Sequence, residues 1–186
     1  MEQVLGQQID IGSESKPVIA GTSVSVEEVL AQLATGMEAN EVMKACQLKD
    51  DRLMDVPVDY AETLPPNSHL AQLLKQYRQQ QKQKVDRILL QFKHHCLEQY
   101  KQRLVRLILF GSYVRGEFKP SSDIDVLVVL KPPLNWQVDS RQVTEFISHI
   151  SIETGELLSS VFMDEDEFQQ SSSLLLINVR REGIVL

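Results

Sequence analysis

Cysteine, net positive charge and long apolar runs are all scarce in this chain, and each scarcity narrows what it can be. The two cysteines, Cys46 and Cys96, show no CxxC or zinc-like spacing. Both fall in apolar helical patterns, as small buried hydrophobes do, which fits a reducing, cytoplasmic setting better than redox chemistry. No apolar run approaches the roughly 20 residues that span a bilayer, so no membrane segment is expected. The opening MEQVLGQQIDIGSESKP carries neither the basic nor the apolar region of a signal peptide. A net charge of −7 argues against a generic nucleic-acid coat. What is present, 42% hydrophobic and 24% charged residues over 186 positions, suits a soluble globular chain of one ordinary domain or two small ones.

The basic residues are concentrated. Between Lys75 and Lys119 there are 11 Lys/Arg against 3 Asp/Glu, a balance of +8, whereas the remainder carries 8 against 23, a balance of −15. Such a zone is either a solvated helical face or a region that attracts an anion. The histidines within it do not suggest a metal centre, because His94 and His95 are adjacent and point about 100° apart on a helix.

Along the chain, residues 9–48 form a first unit. KPVIAGTSVSV alternates around Ala20-Gly21 and predicts two short strands or a hairpin. Ser25 with Glu28 forms a capping box for a helix carrying Val29, Leu30 and Leu33, with Gly36 as its stop. A second helix is expected from Ala39-Asn40, carrying Val42, Met43 and Cys46, and the pair has the outline of a helix-turn-helix. Residues 49–67, with three prolines and five acidic residues, read as a linker. From Leu70 to Leu104 the apolar spacing is helical, interrupted by the polar RQQQKQK, either an exposed helical span or a join between domains. The organisation expected is a small N-terminal domain with its acidic linker over 1–66, and a second domain with its leading long helix over 67–186. LVRLILF, Ile124–Leu130 and LLSSVFM (157–163) read as strands, 138–153 as an amphipathic helix, and DEDEF as the start of another. The mixture predicts an α/β (α+β) domain on a small mixed sheet.

The stretch GSYVRGEFKPSSDID carries the chemistry. Gly111 allows a sharp turn and close backbone approach after a strand. Ser112 opens a short helix whose N–H groups and hydroxyl suit a phosphate, and Arg115 lies one turn on for further anionic oxygens. Asp123 and Asp125, at i and i+2, point to one face of a strand. Two adjacent carboxylates beside a phosphate cradle suit Mg²⁺, which neutralises them and also binds nucleotide phosphates.

These residues resemble the minimal nucleotidyltransferases of the DNA polymerase β superfamily. The shared pattern is Gly-Ser, ten residues, then Asp-x-Asp, and the likeness runs from about residue 85 to the closing NVRREGIVL. The resemblance implies a nucleotidyltransferase fold and a two-metal transfer of AMP from ATP. Asp123 and Asp125 would be the catalytic metal ligands, and Gly111, Ser112, Arg115 and Ser122 would hold the nucleotide. It also implies a third carboxylate on a later strand, where this chain has Ser159 or Ser160, with Glu156 and Asp164 flanking. Members of this type act as antitoxins against HEPN-type toxins, modifying a tyrosine hydroxyl of the toxin. Aminoglycoside nucleotidyltransferases share the core motif but have a large C-terminal helical domain absent from this sequence, so a protein acceptor is expected. A non-catalytic antitoxin that neutralises its partner by binding alone is the alternative. The segment PVIAGTSVSVEEVL and the following LATGM are similar to a helix-turn-helix-like domain of unknown function seen in antitoxins. That likeness implies DNA contact, or docking and homo-oligomer formation, and the acidic character of the unit favours the latter.

Overall fold

A computed structural model describes residues 8–12 and 16–186, which form two compact units. The first comprises the chain up to Lys84 together with Lys119–Ser121, and the second comprises Val85–Phe118 and Ser122–Leu186. None of the described helices is long and apolar enough to cross a membrane.

In the first unit, β1 (Ile9–Ile11) pairs antiparallel with β2 (Pro17–Ile19), in the register Ile9↔Ile19. The two strands expected around Ala20-Gly21 reduce to β2 and a single bridge, Val18↔Ser25. The reason is local. Thr22 Oγ1 donates to the Ile19 carbonyl at 2.8 Å and accepts from Val24 N at 3.1 Å, so the turn takes up backbone groups that a second strand would need. Ser25 then caps α1 (Val26–Ala34), its hydroxyl accepting from Glu28 N at 3.1 Å. Val26, Val29, Leu30 and Leu33 are buried along one face. Gly36, at φ 88°, turns the chain into α2 (Ala39–Ala45), which buries Val42.

Residues 49–67 are not a linker. They form a 3₁₀ turn (Asp51–Met54) and α3 (Val56–Glu62), and Met54, Val56, Val58 and Ala61 are all about 1% exposed or less. Pro57 sits in the first turn of α3, where its missing N–H costs no helical bond. The acidic residues that suggested a linker hold partners instead: Asp55 accepts from Ser121 N at 3.1 Å, and Asp59 pairs with Lys119 at 2.6 Å.

One helix, α4 (His69–Tyr100), runs unbroken through RQQQKQK. The segment is helical throughout, and the division between the two units falls just after it, at Lys84/Val85, and not at the 66/67 boundary expected from the sequence. Its polar side chains are partly used, with Arg78 paired to Glu62 and Lys84 to Glu38 in the first unit.

The second unit is a mixed α/β sheet flanked by helices, as the sequence predicts. β3 (Leu104–Phe110) pairs antiparallel with β4 (Ile124–Leu130), and β4 pairs parallel with β5 (Leu158–Asp164). The crossover between β4 and β5 contains α6 (Trp136–Thr154). After α7 (Glu165–Gln170) and α8 (Leu174–Glu182), β6 (Ile184–Val185) returns antiparallel to β3, giving the order β5-β4-β3-β6.

β4 is apolar on both sides, as a central strand must be. Ile124, Val126, Val128 and Leu130 pack with α4 and α6 through Phe92, Cys96, Val143 and Ile150. Leu127 and Val129 pack on the other face with Phe168, Leu176 and Val179 of α7 and α8. Both cysteines are buried free thiols, and burial pushes that of Cys96 up to about 12, far from reactive. His95 stacks on Phe146 with ring centroids 4.5 Å apart and Nε2 3.1 Å from the Gln142 carbonyl oxygen, a packing role.

Two details secure this unit. Asp139, in the first turn of α6 and 1% exposed, accepts from Arg103 Nη1 and Nη2 at 2.8 and 3.0 Å and from Asn135 N at 2.9 Å. Gly183 lets the end of α8 close onto β3, since a Cβ there would overlap the Val179 carbonyl and lie 2.6 Å from Ile108 Cγ2. Gly183→Ala is therefore expected to cost about 1–3 kcal/mol by overpacking, read as a lower urea midpoint at unchanged slope.

Candidate active site

The site grows from the end of β3. Gly111 sits at φ 80°, ψ −152°, a conformation open to glycine but not to side-chain-bearing residues. Its missing side chain has a second use. A Cβ at this position would collide with Oδ2 of Asp125, so the glycine is what allows that carboxylate to lie against the turn. The following helix, α5 (Ser112–Arg115), is a single turn closed by Gly116 at φ 71°. The Ser112 carbonyl accepts from Glu117 N at 3.0 Å.

Asp125 is the second residue of β4 and lies opposite Phe110 of β3. Alternation along β4 puts it on the side of Leu127 and Val129, the α7/α8 face. Asp123 precedes the strand by one residue and is exposed, and Ser122 beside it is half-buried. Burial raises the Asp125 carboxyl above the ordinary carboxylate range, the charge of Asp123 raises it further, and Arg115 partly offsets both. The two aspartates thus repel each other with insufficient compensation, a donor set that fits a divalent cation.

A raised folded-state carboxyl stabilises the fold below its ordinary range and loses that contribution as pH rises through the shifted value. Asp125→Asn is therefore expected to raise the melting temperature of the ligand-free protein near neutral pH. The gain is only about 1–2 °C, because the half-exposed group is screened by solvent. Melting curves at pH 7 and pH 4 check the sign, with the gain shrinking at the lower pH.

Arg115 does not project into solvent unpartnered. Its Nε donates to Glu117 Oε2 at 2.7 Å, and Glu182 and Asp125 act on it electrostatically as well. Sequence reasoning did not single out Glu117 or Glu182. Glu117 had a signal, its nearness to Arg115 in the same turn. Glu182 had none, because it arrives from the C-terminal end, where Ile184 pairs with Leu109 beside the turn.

The parallel register decides between the two serines at the expected third carboxylate. Asp125 lies opposite Ser159, and Val126 lies opposite Ser160. Ser159 shares the face of Val161 and Met163 with Asp125, whereas Ser160 shares the α4/α6 face with Leu158 and Phe162. Neither flanking acid takes the place of the missing group. Glu156 Oε2 accepts from the Tyr113 hydroxyl at 3.4 Å. Asp164 lies opposite Leu130, five residues and roughly 16 Å along the sheet from the Asp125 level. There it caps α7, accepting from Glu167 N at 2.8 Å. Among the described residues, no group of three or more His, Cys, Asp or Glu is placed to hold a metal.

Comparison with known proteins bears on this geometry. The nucleotidyltransferase domain family matches residues 89–165, and a family of unknown function, DUF433, matches residues 13–57. One protein of Methanocaldococcus jannaschii named "Putative protein adenylyltransferase" is 30% identical over 97 residues, which are 52% of this chain and 91% of the relative. The chain belongs to the nucleotidyltransferase family. Two further M. jannaschii proteins of the same name are 34% and 33% identical over 76 and 79 residues. Each alignment covers 40% of this nucleotidyltransferase, and 74% and 54% of the respective relative. No solved structure matches with significance. The family match spans β3, the Gly111 turn, β4 and β5, so the enzymatic part lies in the second unit.

Proposed function

We propose that this nucleotidyltransferase moves AMP from ATP to a hydroxyl of a protein, in a Mg²⁺-dependent reaction, and that it acts as an antitoxin. The observation that carries the reading is the approach of the Asp125 carboxylate to the Gly111 turn, with Asp123 beside it. A triphosphate seated on the turn at Gly111 and Ser112, with Ser122 nearby, brings its own negative charge to the carboxylate pair. Mg²⁺ held by Asp123 and Asp125 would neutralise that combined charge and polarise the phosphate.

The chain's own groups do the positioning. Arg115 exchanges its Glu117 partner for phosphate oxygens, and the missing side chain of Gly111 lets the nucleotide lie close to the turn. The acceptor oxygen bonds to the α-phosphorus, the α–β phosphoanhydride bond breaks, pyrophosphate leaves, and the acceptor proton passes to solvent. The acceptor we propose is a tyrosine hydroxyl of a HEPN-type toxin. The names of the relatives, which describe protein adenylyltransferases, support a protein acceptor.

For the first unit we propose docking or dimerisation in preference to DNA contact. Its second helix, α2, carries Lys44 as its one basic residue, against Glu41. No binding to its own promoter fragment, even at low salt, is the expected result.

The deciding experiment uses ATP labelled on the α-phosphate, Mg²⁺ and the co-expressed partner, with γ-labelled ATP beside it. Label on the partner from the α position and not the γ position supports nucleotidyl transfer. The second reading, neutralisation by binding alone, is favoured by Ser159 standing where a carboxylate is expected. It predicts a silenced partner that carries no label.

A further inference from the structure

We infer that this site binds one divalent cation with its nucleotide, not two, because Ser159 occupies the position from which a second ion would be held. The inference rests on the proposed metal-dependent reading and goes beyond it, to how many ions the chain's own donors can support.

A pair of divalent ions 3.5–4 Å apart needs ligands that offset their mutual repulsion and complete a six-oxygen shell around each. Asp123 and Asp125 are the carboxylates at the end of β4, and the residue facing Asp125 across the parallel register is Ser159, a neutral hydroxyl. Neither of the acids flanking β5 lies opposite Asp125 in that register. Glu156 accepts from Tyr113, and Asp164 caps α7 at the other end of β5. Among the described residues no group of three or more His, Cys, Asp or Glu could hold a metal ion, so any ion bound here must draw further ligands from the nucleotide and water.

A single ion can complete its shell with nucleotide phosphate oxygens and water. A second ion, on the acceptor side, would have to rely on a third carboxylate, and opposite Asp125 the described residues offer Ser159 instead. Proton loss from the acceptor is then unassisted by a second metal, which predicts transfer that speeds up as the acceptor hydroxyl ionises.

The test counts protein-bound Mn²⁺ by equilibrium dialysis of the full chain with a non-hydrolysable ATP analogue carrying a methylene between the α- and β-phosphorus atoms. One Mn²⁺ per chain is expected for the wild type and two for Ser159→Asp, whose new carboxylate would face Asp125. Two ions on the wild type overturn the inference and leave the metal-dependent reading standing. No bound ion on the wild type overturns both. A folded Ser159→Asp protein that still binds one ion overturns the assignment of Ser159 as the vacant ligand position. Should that variant fail to fold, shown by a lost cooperative melt, the wild-type count alone decides.

Discussion

Replacing Asp123 and Asp125 together by alanine is expected to reduce AMP transfer to the partner by at least about 10²–10³-fold, the loss typical when a preorganised charge-stabilising group is removed. On the proposed reading the carboxylate pair would be the counter-charge for the cation that accompanies the triphosphate, and among the described residues no group of three or more His, Cys, Asp or Glu is placed to hold a metal in its stead. Loss of fold is not the expected cause. Asp125 is held above the ordinary carboxylate range by burial and by Asp123, so its ionised form weighs against the folded state and its removal relieves that cost. The double variant should therefore melt no lower than wild type while losing α-label transfer. Transfer retained at wild-type rate would remove the aspartates from the chemistry. Transfer lost together with the cooperative melt would assign the effect to folding.

The largest effect on stability is expected from Arg103→Ala. The Asp139 carboxylate is 1% exposed and accepts from Nη1 and Nη2 of Arg103, and that pairing, outweighing the opposing effect of burial, holds it below the ordinary carboxylate range. Removing one partner of a buried pair strands the other, at a cost of about 3–5 kcal/mol where both are buried. Arg103 is 42% exposed, so about 2–3 kcal/mol, or roughly 4–10 °C in melting temperature, is the appropriate expectation. The pH dependence has a definite sign. A depressed carboxylate stabilises the fold above its ordinary range, and the contribution fades as pH falls through the folded-state value. The gap between wild type and Arg103→Ala should accordingly narrow on going from pH 7 towards strongly acidic conditions in urea titrations. A constant gap would assign the loss to the Arg103 bond with the Pro133 carbonyl, made at 3.0 Å, and to packing of the arginine stem.

The pair also explains where α6 begins. Asn135 caps the helix through Val138 N at 3.2 Å, while Asp139 reaches back to Asn135 N, a reciprocal arrangement at the helix start. Sequence patterning located the amphipathic helix from the spacing of Val143, Phe146, Ile147 and Ile150. It did not locate this anchor, since Arg103 lies 36 positions away from Asp139.

What the sequence determined by itself was local. The Ser25 cap on Glu28 N, the strand–turn–strand around Gly111, and the i, i+2 spacing of Asp123 and Asp125 are set by residues within a few positions of one another. Backbone stereochemistry and hydrogen bonding act over that range, so these features are legible from the chain. Composition misled over 49–67, where acidic residues and prolines masked the buried run of Met54, Val56, Val58 and Ala61. Pro57 was compatible with a helix start all along. The tertiary structure alone decided that Ser159 and not Ser160 faces Asp125, that Asp164 caps α7 away from the aspartates, and that Glu182 comes to lie near Arg115. Each of these depends on the register of strands joined through long connections. Packing against helices on both faces of the sheet sets that register, and a slip of one residue would exchange the two serines between faces.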